Sequence, residues 1–74
     1  MERPQGHRVW RLRKQHLHID AELRLLTEDA GVELHFLYNG HLSYARQFLT
    51  RAEALAEATV KRAELEREGW TFHW

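Results

Sequence analysis

Six histidines in a chain of 74 residues are the first feature with chemical potential. His16 and His18 form a His-x-His step, Asp20 follows two residues later, and His41 lies further along. On an extended strand, residues i and i+2 project from one face about 7 Å apart, close enough for two imidazoles to share a metal. If that strand pairs antiparallel with one ending at Asn39-Gly40, His18 falls opposite Asn39 and His16 opposite His41. His16, His18 and His41 could then converge, and Zn or Ni would suit three imidazoles. The alternative is a solvated polar face that gains charge as pH falls through about 6.5, with no partner group to orient the ring nitrogens.

The cations form a second cluster. Arg3, Arg8, Arg11, Arg13 and Lys14 stand against Glu2 alone in residues 1–14, although the chain as a whole holds 11 Lys and Arg against 11 Asp and Glu. Arg8, Arg11, Arg13 and Lys14 could contact phosphates, with Trp10 interleaved as in single-strand binders. They could equally be a charged strand edge that discourages aggregation. The balanced total charge gives no general signature of a nucleic-acid binder.

The third group is aromatic. Trp70, Phe72 and Trp74 alternate at the end of the chain, so an extended tail would carry all three rings on one side. Such rings either fold back to close a small core or form a partner-binding or dimer-forming patch. Catalytic chemistry finds little support. Ser43 and Thr71 lie in no nucleophile motif, there is no glycine-rich phosphate cradle, and a domain of this size has little room for a substrate pocket. No enzyme activity, cofactor or small-molecule substrate is expected.

The elements that must position these residues can be read in order. Residues 1–6 form a loose tail. Residues 7–14 read as a strand with Trp10 and Leu12 on one side and Arg11 and Arg13 on the other. Residues 15–26 alternate almost without fault: Leu17, Ile19, Ala21, Leu23 and Leu25 point inward, His16, His18, Asp20, Glu22 and Arg24 outward. Thr27 to Gly31 forms a turn. Residues 32–38 place Val32, Leu34, Phe36 and Tyr38 together, and pairing with the previous strand sets Arg24 against Glu33 and Glu22 against His35 as cross-strand partners.

Asn39-Gly40 is the strongest short hairpin signal, and residues 41–49 return as a fourth strand. Two registers compete. A two-residue turn sets Val32, Leu34 and Phe36 beside Gln47, Ala45 and Ser43; a three-residue loop with a bulge at Gly40 sets them beside Arg46, Tyr44 and Leu42. The second joins apolar to apolar and is favoured. Thr50 and Glu53 form a capping box and Gly69 suits a C′ position, so residues 50–69 form a helix. Its inward arc is expected to hold Ala52, Leu55, Ala58 and Thr59, with Val60, Ala63 and Leu65 on the flanks. The fold class is α+β: one domain over residues 1–74, a four-stranded antiparallel sheet over 7–49, one helix across a face, and an aromatic tail over 70–74 (ββββα).

The combination of WRLR at Trp10, the Glu22-Leu23 pair, the hairpin ending at Gly40, the junction Arg46-x-Phe48-x-Thr50-Arg51, Ala54, Ala58, Leu65 and the closing Gly69-Trp70 resembles a group of short bacterial proteins without assigned activity. The resemblance covers residues 9–70. It implies the sheet-plus-helix fold and a bacterial or phage source, and it carries no activity. The extra histidines and the tail beyond Trp70 fall outside the shared pattern.

The absence of cysteine excludes disulfides and cysteine-based metal sites and suits a cytoplasmic setting. No apolar run reaches the roughly 20 residues needed to span a bilayer, and MERPQGHR lacks the apolar core of a signal peptide. The functional expectation is a small non-enzymatic protein-interaction module, homodimeric, that occupies a partner's surface as a regulator or inhibitor. Nucleic-acid binding through the arginine-rich first strand is the alternative.

Overall fold

A computed structural model describes residues 7–26 and 31–72. Arg3, Trp74, the 1–6 tail and most of the Thr27–Gly31 turn lie outside the described residues. The elements are β1 (His7–Lys14), β2 (Leu17–Leu25), β3 (Val32–Tyr38), β4 (His41–Phe48), α1 (Arg51–Arg67) and β5 (Thr71–Phe72). All strand pairings are antiparallel, in the order β4-β3-β2-β1-β5. The sheet therefore has four long strands and a short fifth, where four were expected. β5 arises because the chain after the helix returns along β1, pairing Leu12 with Phe72 and Arg13 with Thr71.

The alternating pattern of β2 becomes two faces. On one, Trp10, Leu12, Ala21, Leu23, Val32, Leu34 and Phe36 are buried beneath α1. On the other, Asp20, Glu22, Arg24, Glu33 and His35 follow the polar positions of the same strands. Leu25, the last residue of β2, is 58% exposed although its register partner Val32 is buried.

Two irregularities escaped the sequence pattern. Residues 15–26 do not form one continuous strand: Gln15 and His16 make a two-residue turn between Lys14 and Leu17, with Gln15 at φ 58°. No Gly, Pro or Asn marks it. Val9 bulges from β1, so that Arg8 pairs with Glu22 but Trp10 with Ala21. The bulge keeps Trp10 over the core and packs Val9 against its margin.

The third hairpin takes neither expected register: Val32, Leu34 and Phe36 pair with Phe48, Arg46 and Tyr44. Asn39 and Gly40 have φ of 52° and 84°, as the two-residue turn requires. A bulge also exists, but at Ser43: Phe36 pairs with Tyr44 and Leu37 with Leu42. Arg46 and Tyr44 thus share the face of Leu34 and Phe36, whereas Leu42 is turned to the opposite face beside Leu37.

The helix begins where the sequence places it. The Thr50 side chain accepts from the Glu53 N–H and the Glu53 carboxylate accepts from the Thr50 N–H. At the other end Gly69, at φ 104°, turns left-handed; its N–H donates to Glu66 and the Trp70 N–H donates to Leu65. This closure satisfies the last carbonyls and drops Trp70 onto Leu65 inside the core. Lys14 Nζ donates to the Glu68 carbonyl at 2.8 Å, placing a cation at the negative end of the helix.

The buried line of the helix is Ala54, Ala58 and Leu65, flanked by a half-buried Leu55. Ala52 and Thr59, expected inward, are exposed. The true line has Lys61 where a fourth apolar residue would complete a seven-residue period, so the apolar count alone pointed to the wrong arc. Small residues bring α1 near enough for the Trp10 indole N–H to donate to the Ala58 carbonyl at 2.9 Å. Ala58→Leu should therefore cost about 1–3 kcal/mol by overpacking, whereas Ala52→Leu should change stability by less than ~0.5 kcal/mol. Urea unfolding of both variants checks which arc faces the sheet.

Candidate interaction surface

The outer, helix-free face of the sheet is organised around Asp20, only 6% exposed although no second layer covers it. Its neighbours in the register are Arg11 on β1 and Leu37 on β3. Arg11 grips both carboxylate oxygens, Nε to Oδ1 at 2.6 Å and Nη2 to Oδ2 at 2.8 Å. Burial would push the Asp20 carboxyl up; the hydrogen bonds and charge of Arg11, with smaller contributions from His18 and Arg8, outweigh it and hold the carboxyl below its ordinary value. Hydrogen bonding to Asp20 raises the Arg11 guanidinium in turn, against the opposing effect of burial.

Beyond the cross-strand Arg11–Asp20 pair, the polar neighbours on β2 and β3 pair along their own strands. Backbone register sets Glu22 beside His35 and Arg24 beside Glu33, as expected. The side chains instead form His35–Glu33 at 2.6 Å and Arg24–Glu22 at 3.6 Å. In a strand, i and i+2 share a face, and the choice between them and the cross-strand neighbour is a matter of tenths of a kcal/mol.

The first strand's cations are largely engaged within the chain. Arg11 holds Asp20, Arg13 Nε donates to the Gln15 carbonyl at 3.0 Å, and Lys14 caps the helix. Arg8 is exposed across from Glu22. Trp10, the proposed stacking partner, lies in the core and cannot present its face to a base.

The histidine cluster is not assembled. His16 occupies the turn before β2, while the His18 N–H donates to the Asn39 side chain at 2.9 Å. Among the described residues no three His, Asp, Glu or Cys side chains come together as metal ligands, so His16, His18 and His41 do not form the expected site. The expected register did not allow for the Gln15–His16 turn, which takes His16 out of the strand.

The aromatic tail divides. Trp70 is 7% exposed, packed edge-on against Tyr38 with ring centroids 6.3 Å apart. It belongs to the core, the first of the two readings open for the tail, and so does not serve as a partner-binding residue. Phe72 is 42% exposed on β5, with the Arg62 guanidinium 5.2 Å above its ring.

The open surface lies at the opposite edge, on β4, where His41 is the one candidate residue expected from the sequence. Every residue of β4 from His41 to Gln47 is exposed, including Leu42 and Tyr44 at 57% and 49%. β4 pairs with β3 on one side and ends the sheet on the other. Between β4 and α1 runs a groove of about 360 Å³, floored by Ile19, Phe36 and Tyr44 and rimmed by Glu57, Val60 and Lys61. Lys61 interrupts the apolar line of α1 at this groove and lies 3.8 Å from Glu64, which also lines it. The signal in the sequence was Leu42 and Tyr44 on the last of the long strands.

Comparison of the chain with protein-family models, with curated proteins and with solved structures finds no match. Among the described residues no helix is long and apolar enough to cross a membrane.

The Asp20–Arg11 pair predicts a specific acid response. Because the folded carboxyl titrates below its unfolded value, its contribution is complete above pH ~4 and is lost as pH falls through the lower folded value. Arg11→Ala leaves a buried carboxylate without its partner and should cost about 2 kcal/mol at neutral pH. Desolvation then dominates at Asp20 and raises its carboxyl, so the stability gap between the two proteins should narrow as pH falls from about 6 to 3. Urea unfolding across that range measures the gap; a constant gap would contradict the assignment.

Proposed function

We propose that the protein is a non-enzymatic interaction module that works through the β4 edge and the groove beside it. The observation that carries this reading is a long edge strand exposed along nearly its whole length, with apolar Leu42 and Tyr44 on it and Arg46 its only Lys or Arg. Such an edge presents unpaired backbone donors and acceptors, which another strand can extend. Edge strands that are not meant to pair are usually shortened, charged or covered; β4 has eight residues and none of that cover.

Self-pairing into a homodimer is the first assembly this edge supports, and a regulator or inhibitor that occupies a partner's surface would use the same strand. A cytoplasmic setting fits the cysteine-free composition, and the resemblance to short bacterial proteins fits a bacterial or phage source. Nucleic-acid binding through Arg8, Arg11, Arg13 and Lys14 receives less support, since three of these four already serve internal acceptors.

Sedimentation velocity over a concentration series tests the reading. The protein should self-associate by about 100 µM, in the range of small, weak interfaces. Tyr44→Lys, which puts a charge on the exposed edge, should shift the midpoint upward at least tenfold with an unchanged circular-dichroism spectrum. A strict monomer throughout, or association indifferent to Tyr44→Lys, would contradict it.

A further inference from the structure

We propose that β4 pairs antiparallel with β4 of a second copy across a two-fold axis at Ala45, so that Arg46 of each copy lies against Tyr44 and Glu57 of the other. This rests on the reading of β4 as an open interaction edge and names its occupant and register.

A two-fold between antiparallel edge strands runs perpendicular to the sheet and keeps helix face with helix face. Residues directly opposite one another must then point the same way, which leaves few registers for so short a strand. An axis at Arg46 sets the two guanidiniums against each other, which is repulsive. An axis at Tyr44 sets Arg46 opposite Leu42, which the Ser43 bulge has turned to the other face. An axis at Ala45 opposes two small side chains on the outer face and places Tyr44 against Arg46 twice on the helix face.

Charge complementarity favours the same register. Tyr44 and Glu57 line one groove, so a guanidinium arriving over Tyr44 comes close to the Glu57 carboxylate. Among the described residues Glu57 forms no ion pair, whereas Lys61 pairs with Glu64 on the same rim. Arg46 is exposed on the same face of the strand, its guanidinium 5.1 Å over the Phe48 ring. The groove thus presents a carboxylate and an aromatic ring, and the strand that would dock beside it presents a cation that fits both. By symmetry each contact forms twice, and Val60, 54% exposed at the rim, is partly covered.

The test is a charge reversal with a covalent check. Sedimentation equilibrium should show dimerisation weakened at least tenfold in Arg46→Glu and in Glu57→Arg, and largely restored in the double variant. Raising salt should shrink the single-variant effects. Ala45→Cys, the only thiol in the chain, should cross-link to a disulfide dimer under mild oxidation, because directly opposed residues fall within disulfide reach. A dimer indifferent to both single reversals, a double variant no better than the singles, or Ala45→Cys that fails to cross-link would overturn the register and leave edge pairing standing. A monomer at all concentrations would overturn both.

Discussion

One helix cannot cover five strands, and most of the architecture follows from that mismatch. Strands spaced about 4.8 Å apart make a five-stranded sheet roughly 20 Å across, while a helix is about 10 Å wide with its side chains. Among the described residues there is one helix, α1, and it cannot bury every strand. It packs against one face of the sheet, where Leu12, Leu23 and Leu34 are fully enclosed and the residues of β4 from His41 to Gln47 are not. The edges are treated unequally. β1 is closed by the returning β5 and by Trp70, whereas β4 receives neither strand nor helix on its far side.

The choice of small residues on α1 sharpens this effect. Ala54 and Ala58 let the helix sit close, and the Trp10–Ala58 hydrogen bond fixes that distance. Close approach means that the core volume comes from the sheet and from Trp70, not from the helix. A chain of this length buries only about 60% of its unfolded surface, so its stability margin is narrow. Burial on the second face of the sheet would relieve that, yet this face carries Asp20, held under Arg11, and a set of charged neighbours. What remains for further burial is the side of β4 and the groove beside it.

Local rules that depend on one or two residues were legible in the sequence. The alternation of β2 from Leu17 to Leu23, the Thr50–Glu53 capping box, the Gly69 stop and the position of the Asn39-Gly40 turn each have a self-contained physical cause, and each stands where it was read. Features set by packing were not. The Gln15–His16 turn uses no turn-forming residue and exists because Leu17 must pair back onto Lys14. The buried arc of α1 was obscured because Lys61 interrupts its apolar line and exposed alanines mimic buried ones. The bulges at Val9 and Ser43 leave no trace in the apolar pattern, yet each decides which side chains face the core. For the site, the sequence drew attention to Trp70 and to His16, His18 and His41, residues conspicuous by type. The open surface is conspicuous only by position, as the last long strand of a sheet that its helix does not fully cover.

The uncovered edge therefore links the limits of the core to the proposed role: the same shortage of helix that leaves β4 bare makes it available to another strand. Amide hydrogen exchange measured at low and high protein concentration addresses this most directly, because it reports strand by strand. Amides of β2 and β3 should be protected equally at both concentrations, while the outward-pointing amides of His41–Phe48 should exchange rapidly when dilute and slow markedly when concentrated. Protection of β4 that does not change with concentration would show that the edge takes no second strand and would contradict the account.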